Sequence, residues 1–197
     1  MAPSPLPIEP AMAPISPEEA LAVLHNADLL CSAEEVTAAL DRMATAITAR
    51  FKDRNPLVLV VMNGALIPAA QLLIRLDFPF QIGYLHATRY RGATHGSELH
   101  WIARPSFPVE ERVVLVVDDI FDEGTTLKAI IDDLRQSGAR EVYSAVLVNK
   151  LHNRKEPGLV VDFVGLEVAD RYVFGCGMDY KEYLRNLPGI YADKETP

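Results

Sequence analysis

With 197 residues, 49% of them hydrophobic and 23% charged, the chain can bury one ordinary core, as a single domain with small additions. A formal charge of -8 argues against a nucleic-acid surface. It leaves an anionic small-molecule ligand open, because local N–H groups and a few cations outweigh a screened global charge. Cys31 and Cys176 have no metal-ligand spacing and suggest no disulfide framework, so reduced thiols in a cytoplasmic setting are expected.

No Lys or Arg precedes Arg42, and Pro3, Pro5, Pro7, Pro10, Pro14 and Pro17 interrupt any apolar segment. Neither a signal peptide nor a membrane span is expected. Residues 1–15 read as a flexible, proline-rich tail ahead of one domain over residues 16–197. Ser16-Pro17-Glu18-Glu19 predicts a capping box with Pro at the first helical position, opening a short helix. Ser32-Ala33-Glu34-Glu35 repeats the signal, and Val36, Leu40, Met43 and Ile47 give the next helix an apolar stripe. Leu57 to Met62 predicts a buried strand that ends at Asn63-Gly64-Ala65, before an apolar helix near residues 66–76. Gly64 allows backbone to approach a ligand, with an ordinary strand-to-helix turn as the alternative. Phe80 to Thr88 predicts another strand, which runs into a polar loop from Arg89-Tyr90 to Ser97 before apolar character returns near Trp101. A loop of this kind is a lid or a hairpin tip. His86, His95 and His100 have no defensible ligand spacing.

The most informative stretch follows. Val113 to Val117 suits a strand covered on both faces of a parallel sheet, and it delivers Asp118 and Asp119 to the strand's carboxyl end, where open α/β sheets bind ligands. Asp122, Glu123, Gly124, Thr125 and Thr126 come next, and from Thr125 the spacing of Leu127, Ile130, Ile131 and Leu134 is helical, with Gly138 as its stop. A glycine loop opening a helix presents N–H groups and the positive dipole end, which favours phosphate. The acidic pair suits vicinal hydroxyls of a ribose together with a metal. Asp122, nearer the loop mouth, is free to accept a proton, and Thr125 and Thr126 add hydroxyl donors. An acidic turn of a doubly wound domain, or the metal cluster of a receiver-type signalling domain, is the competing reading.

Glu141 to Val148 predicts a further strand, with Lys150 after its end and residues 152–155 as loop. Gly175-Cys176-Gly177 lacks the third glycine and the strand-to-helix context of a dinucleotide site.

The run from Val113 to Thr126 resembles the 5-phosphoribosyl-1-diphosphate signature of the type I phosphoribosyltransferases, and most of all their hypoxanthine-guanine branch. Residues 57–187 carry the resemblance. It implies an α/β fold with a twisted, mainly parallel central sheet, helices on both faces and a small hood from the terminal segments. It implies purine salvage, in which the 5-phosphoribosyl group of 5-phosphoribosyl-1-diphosphate passes to N9 of hypoxanthine or guanine with Mg2+ as cofactor, giving IMP or GMP and diphosphate. Asp118 and Asp119 then address the ribose hydroxyls and the metal, residues 122–126 hold the 5'-phosphate, and Asp122 is the general base at N7. Asn63 and Gly64 match a diphosphate loop that often carries Lys or Arg before its Gly, sometimes with a cis peptide, so a backbone role is expected. Arg89 and Tyr90 match the start of a closing lid, where the family has Ser-Tyr. Lys150 matches the lysine at purine O6, Tyr172 the stacking aromatic, and Val173 a residue that reads the base edge through backbone. Asp179 lies close to a metal or the purine, and Arg185 matches a diphosphate contact. Glu123 departs from a family Thr or Ser and is expected to point away from the ligand. A homodimer or homotetramer is implied, with no nucleic-acid or membrane partner. A xanthine preference, and a phosphoribosyl-nucleotide sensor on the same fold, remain as alternatives.

Overall fold

The structure, a computed structural model, describes residues 15–89 and 99–194. Two helices near the start form for local reasons. Before α1 (Pro17–Asn26), Ser16 Oγ accepts the Glu19 N–H at 3.2 Å, and the Glu19 carboxylate accepts the Ser16 N–H at 2.7 Å. Ser32 and Glu35 repeat this reciprocal cap, at 3.3 and 2.8 Å, before α2 (Ala33–Phe51). Each box satisfies two helix N–H groups that have no partner within the helix. The short strand β1 (Asp28–Cys31) lies between them.

The main sheet contains β2 (Leu57–Val61), β3 (Gln81–Arg89), β4 (Leu99–Ala103), β5 (Val113–Phe121), β6 (Glu141–Leu151) and β7 (Phe163–Ala169). Its order is β4-β3-β2-β5-β6-β7, parallel throughout except for the antiparallel edge strand β4. All five residues of β2 and the first five of β5 are buried, as central strands covered on both faces require. Two crossovers leave this centre in opposite directions: α3 (Leu66–Leu73) leads from β2 to β3, and α4 (Thr125–Gln136) leads from β5 to β6. Right-handed connections then put α3 and α4 on opposite faces. The carboxyl ends of β2 and β5 form the switch point at which open α/β sheets bind ligands.

A second sheet, β1-β9-β8, joins β1 to β8 (Val173–Phe174) through β9 (Ile190–Ala192), with Asp28 and Val173 both opposite Ala192. It draws on both ends of the described chain. Three boundaries differ from expectation. β5 continues past the acidic pair to Phe121, because Ile120 and Phe121 still pair with Val148 and Asn149. β6 continues to Leu151, so Lys150 lies inside a strand opposite Val168 and not beyond its end. α3 stops at Leu73, with Arg75 and Leu76 in the turn that follows. Of the two lid positions, Arg89 closes β3 and Tyr90 lies outside the described residues, as do tail residues 1–14.

Phe51 anchors the layer between α2 and the sheet. It is fully buried and meets the Tyr143 ring edge-on at 5.1 Å and the Phe163 ring at 5.8 Å. Phe51→Ala is expected to lose about 3–5 kcal/mol of unfolding free energy, read from the denaturant midpoint at unchanged slope.

Candidate active site

At the switch point the backbone is packed too closely for side chains. A Cβ on Gly64 would sit 1.9 Å from Asp119 Oδ2, and one on Gly177 would sit 2.0 Å from the Gly64 carbonyl oxygen. Asp119, the turn after β2 and the turn after β8 are therefore stacked in direct contact, with the Met62-Asn63 peptide cis. The Asp119 N–H donates to Asp118 Oδ1 at 2.9 Å. Burial, then the Asp119 charge, pushes the Asp118 carboxyl well above its ordinary value. Asp119 is also raised by burial, partly offset by its hydrogen bond to Asp118 and by the Arg185 charge.

Beyond β5, Gly124 adopts φ 86° and starts α4. A Cβ there would meet the Phe121 ring at 2.2 Å and Leu159 at 2.8 Å, so the turn needs glycine for both conformation and space. The N-terminus of α4 faces a cavity of about 400 Å³ lined by residues 118–120 and 122–127. Such an end carries unpaired N–H groups and positive partial charge, a fit for phosphate. Glu123 has its carboxylate more than half exposed, 4.0 Å from Arg154 Nε, and its carbonyl accepts the Glu156 N–H at 2.7 Å.

A second cavity, of about 170 Å³, shares Asp119, Ile120 and Asp122 with the first and adds Lys150, Tyr172, Val173, Met178 and Asp179. The shared wall is where a molecule in one cavity meets a molecule in the other. Tyr172 is partly exposed and meets Tyr180 edge-on at 5.4 Å. Arg185 holds the far side, donating to Gly177 O at 2.9 Å and pairing with Asp179 Oδ1 at 2.9 Å and Glu182 at 3.1 Å. Asp179 Oδ2 accepts the Glu182 N–H at 2.8 Å, so both of its oxygens are already engaged within the chain.

Asp122 is not the free carboxylate expected from sequence. Lys150 Nζ lies 2.9 Å from its Oδ2 and His152 Nε2 lies 2.7 Å from its Oδ1. His152 Nδ1 accepts the Arg154 N–H at 3.1 Å, which leaves Nε2 as the protonated nitrogen of the neutral ring. Asp170 sits 3.7 Å from Lys150 Nζ and binds Arg154 at 2.7 and 3.1 Å. Lys155 donates to the carbonyls of Phe121 and Asp122 at 2.6 and 2.8 Å and to Asn149 at 2.9 Å, bracing the loop from behind. His152, Arg154 and Lys155 are thus part of the site and not only loop. The signal lay in strand alternation. Once β6 is extended to Leu151, His152 follows Lys150 by two residues and shares its side of the strand.

Asp122, His152 and Asp170 could together hold a cation, but the Lys150 ammonium already fills that place. The Asp118 and Asp119 oxygens fit Mg2+ better. They are hard donors, and a divalent cation offsets the cost of burying two neighbouring charges.

A parallel sheet whose switch point carries an acidic pair and a Gly-Thr-Thr helix start suits a ligand that joins a phosphate to vicinal hydroxyls. Residues 30–182 match the family model of the phosphoribosyl transferase domain. The chain belongs to the phosphoribosyltransferase family, on its hypoxanthine-guanine branch. Hypoxanthine-guanine phosphoribosyltransferase from Bacillus subtilis is 33% identical over 163 residues, covering 82% of this chain and 90% of that one. Hypoxanthine-guanine-xanthine phosphoribosyltransferase from Tritrichomonas foetus is 29% identical, with 88% and 92% covered. The structure of a hypoxanthine phosphoribosyltransferase from Staphylococcus aureus matches with a TM-score of 0.81 at 27% identity, covering 88% and 95%.

Burial raises the Asp122 carboxyl, but hydrogen bonds from Lys150 and His152 outweigh it and hold the group below its ordinary value of 3.8. A carboxyl depressed on folding adds stability that is complete above the unfolded value and is lost as pH falls through the folded one. The stability advantage of the native chain over Asp122→Asn is therefore expected to be constant at neutral pH and to shrink only below pH 3.8. Denaturation of both chains across pH 2–7, roughly the range in which carboxylates titrate, checks this.

Proposed function

We propose that the chain transfers the 5-phosphoribosyl group of 5-phosphoribosyl-1-diphosphate to N9 of hypoxanthine or guanine, giving IMP or GMP and diphosphate in purine salvage. One observation carries this reading: the Lys150 ammonium and the Asp122 carboxylate stand 2.9 Å apart in a cavity that opens onto the phosphate loop. A 6-oxopurine presents an acceptor, O6, beside N7 on one edge. A donor and an acceptor side by side on the protein complement that edge once their mutual contact opens. A 6-amino group would meet Lys150 as donor against donor, so adenine is disfavoured.

In this scheme the α4 N-terminus, with Thr125 and Thr126, receives the 5'-phosphate. Asp118 and Asp119 hold the ribose hydroxyls and Mg2+, which when bound supplies charge to the leaving diphosphate. Asn63 and Gly64 offer backbone groups to the diphosphate, and Arg185 adds a cation once released from Asp179. Tyr172 stacks on the base and Val173 meets its edge through backbone. Positive charge grows at C1' as the bond to diphosphate lengthens, and N9 attacks. The N7–H bond breaks and Asp122 takes the proton. Geometry and preorganised charge carry most of the acceleration. Arg89 and Tyr90 are assigned to a lid that excludes water from C1'.

The second sheet is assigned the part of a hood over the base, as an annex of one domain that follows the proline-rich tail. A xanthine-accepting site is the competing reading, favoured by the similarity to the hypoxanthine-guanine-xanthine enzyme of Tritrichomonas foetus. A homodimer or homotetramer is also proposed. Leu66, Ile82 and Tyr84, each more than half exposed, rim an apolar hollow of about 270 Å³ between α3 and β3 that a second copy would cover. No helix among the described residues is long and apolar enough to cross a membrane. The two cysteines are free and buried, which suits the cytoplasmic setting assigned to the reaction.

Diphosphate release with 5-phosphoribosyl-1-diphosphate, Mg2+ and each of hypoxanthine, guanine, xanthine and adenine tests the assignment; turnover with adenine alone would overturn it. Asp122→Ala is expected to lose about 10² to 10⁴ in kcat, the usual share of a general base. Lys150→Ala is expected to lower the preference for hypoxanthine over adenine about 10- to 100-fold, the worth of a charge-assisted hydrogen bond. Sedimentation should give a dimer or tetramer, and Ile82→Glu should shift it toward monomer.

A further inference from the structure

His152 takes no part in the scheme above, yet it is the second donor to Asp122. Its side chain is only 4% exposed and does not line the base cavity. Both ring nitrogens are engaged, Nε2 with Asp122 Oδ1 at 2.7 Å and Nδ1 with the Arg154 N–H at 3.1 Å. Asp122 therefore has one oxygen on Lys150 and the other on His152. The two donors differ in what they face. Lys150 lines the cavity and can exchange Asp122 for a ligand oxygen, whereas His152 is fixed behind the carboxylate by backbone.

We propose that His152 is a positioning residue that holds Asp122 Oδ1, so that Oδ2 faces purine N7 after Lys150 has moved to O6. The proposal rests on the role of Asp122 at N7 stated above. Without His152, the departure of Lys150 would leave the carboxylate unsupported on both oxygens and free to turn about its last torsion. No proton passes through the imidazole. The N7–H bond breaks and its proton goes to Oδ2, while the N7 electron pair remains with the ring system. The N9–C1' bond forms, diphosphate departs with the C1'–O pair, and Nε2 keeps its proton throughout. Asp170 completes the arrangement, because its contacts with Arg154 and Lys150 tie the backbone that fixes His152 to the lysine that must move.

Removing a group that orients a base by about an ångström costs on the order of 10- to 100-fold in rate. The test is diphosphate release with hypoxanthine, in steady state and in a single turnover, for the native chain, His152→Ala, His152→Gln, Asp122→Ala and the double variant of Asp122→Ala with His152→Ala. Glutamine offers an N–H near the place of Nε2. His152→Leu fills the ring's space without a donor and replaces the alanine variant if that chain does not fold. The expected result is a loss of about 10- to 100-fold in kcat for the donorless variant, with KM for 5-phosphoribosyl-1-diphosphate unchanged. Glutamine should restore most of the rate, and His152→Ala should add no further loss to Asp122→Ala. Native kcat in the donorless variant, or a loss that persists undiminished in the Asp122→Ala chain, would overturn the proposal. A native chain inert with every base would instead remove the proposed function, and the role of His152 with it.

Discussion

The site depends on the absence of side chains at Gly64 and Gly177. With Asp119 Oδ2 1.9 Å from where a Gly64 Cβ would stand, and the Gly64 carbonyl 2.0 Å from where a Gly177 Cβ would stand, three chain segments are pressed into one layered contact. That contact ties the ends of β2 and β5 to the segment that follows β8. It sets how far the cavity at the α4 N-terminus lies from the cavity lined by Lys150 and Tyr172, since Asp119 belongs to both. It also removes water from two adjacent carboxylates, and this desolvation pushes both upward, a cost that a bound cation would offset.

Charge in the site is balanced locally and not by the chain's net charge of -8. The two ends of the shared wall are treated differently. Asp118 and Asp119 are buried side by side with the Arg185 charge nearby, whereas Asp122 is paired with Lys150 and His152 and is held below its ordinary value. For the proton transfer proposed above, a carboxylate kept ionised is ready without first shedding a proton of its own. In the proposed reaction its partner Lys150 must be exchanged, and a 6-oxopurine is a ligand able to supply that exchange.

Local signals in the chain were readable where the physics is local. Both capping boxes, the buried runs of β2 and β5 and the Gly124 helix start depend on residues a few positions apart, and each stands in the structure. The ends of β5 and β6 carry no local mark, because they depend on pairing between residues far apart in sequence: Ile120 and Phe121 with Val148 and Asn149, and Lys150 and Leu151 with Val168 and Ala169. The end of β6 decides how His152 reads: as loop if the strand stops at Val148, and as a neighbour of Lys150 if it continues. Lys155 was hidden for a related reason, since its acceptors are backbone carbonyls that no side-chain pattern announces. The pairing of β9 with both β1 and β8 carries no local mark either, and it is what brings the two ends of the described chain together.

The central claim is that one ion pair opens to receive the purine edge while the contact behind it persists. A crystal structure of the chain with bound IMP tests this directly. The account expects Lys150 Nζ within hydrogen-bond reach of O6 and away from Asp122, Asp122 Oδ2 toward N7, and Oδ1 still on His152. Lys150 remaining on Asp122, with O6 bound by other groups, would contradict it.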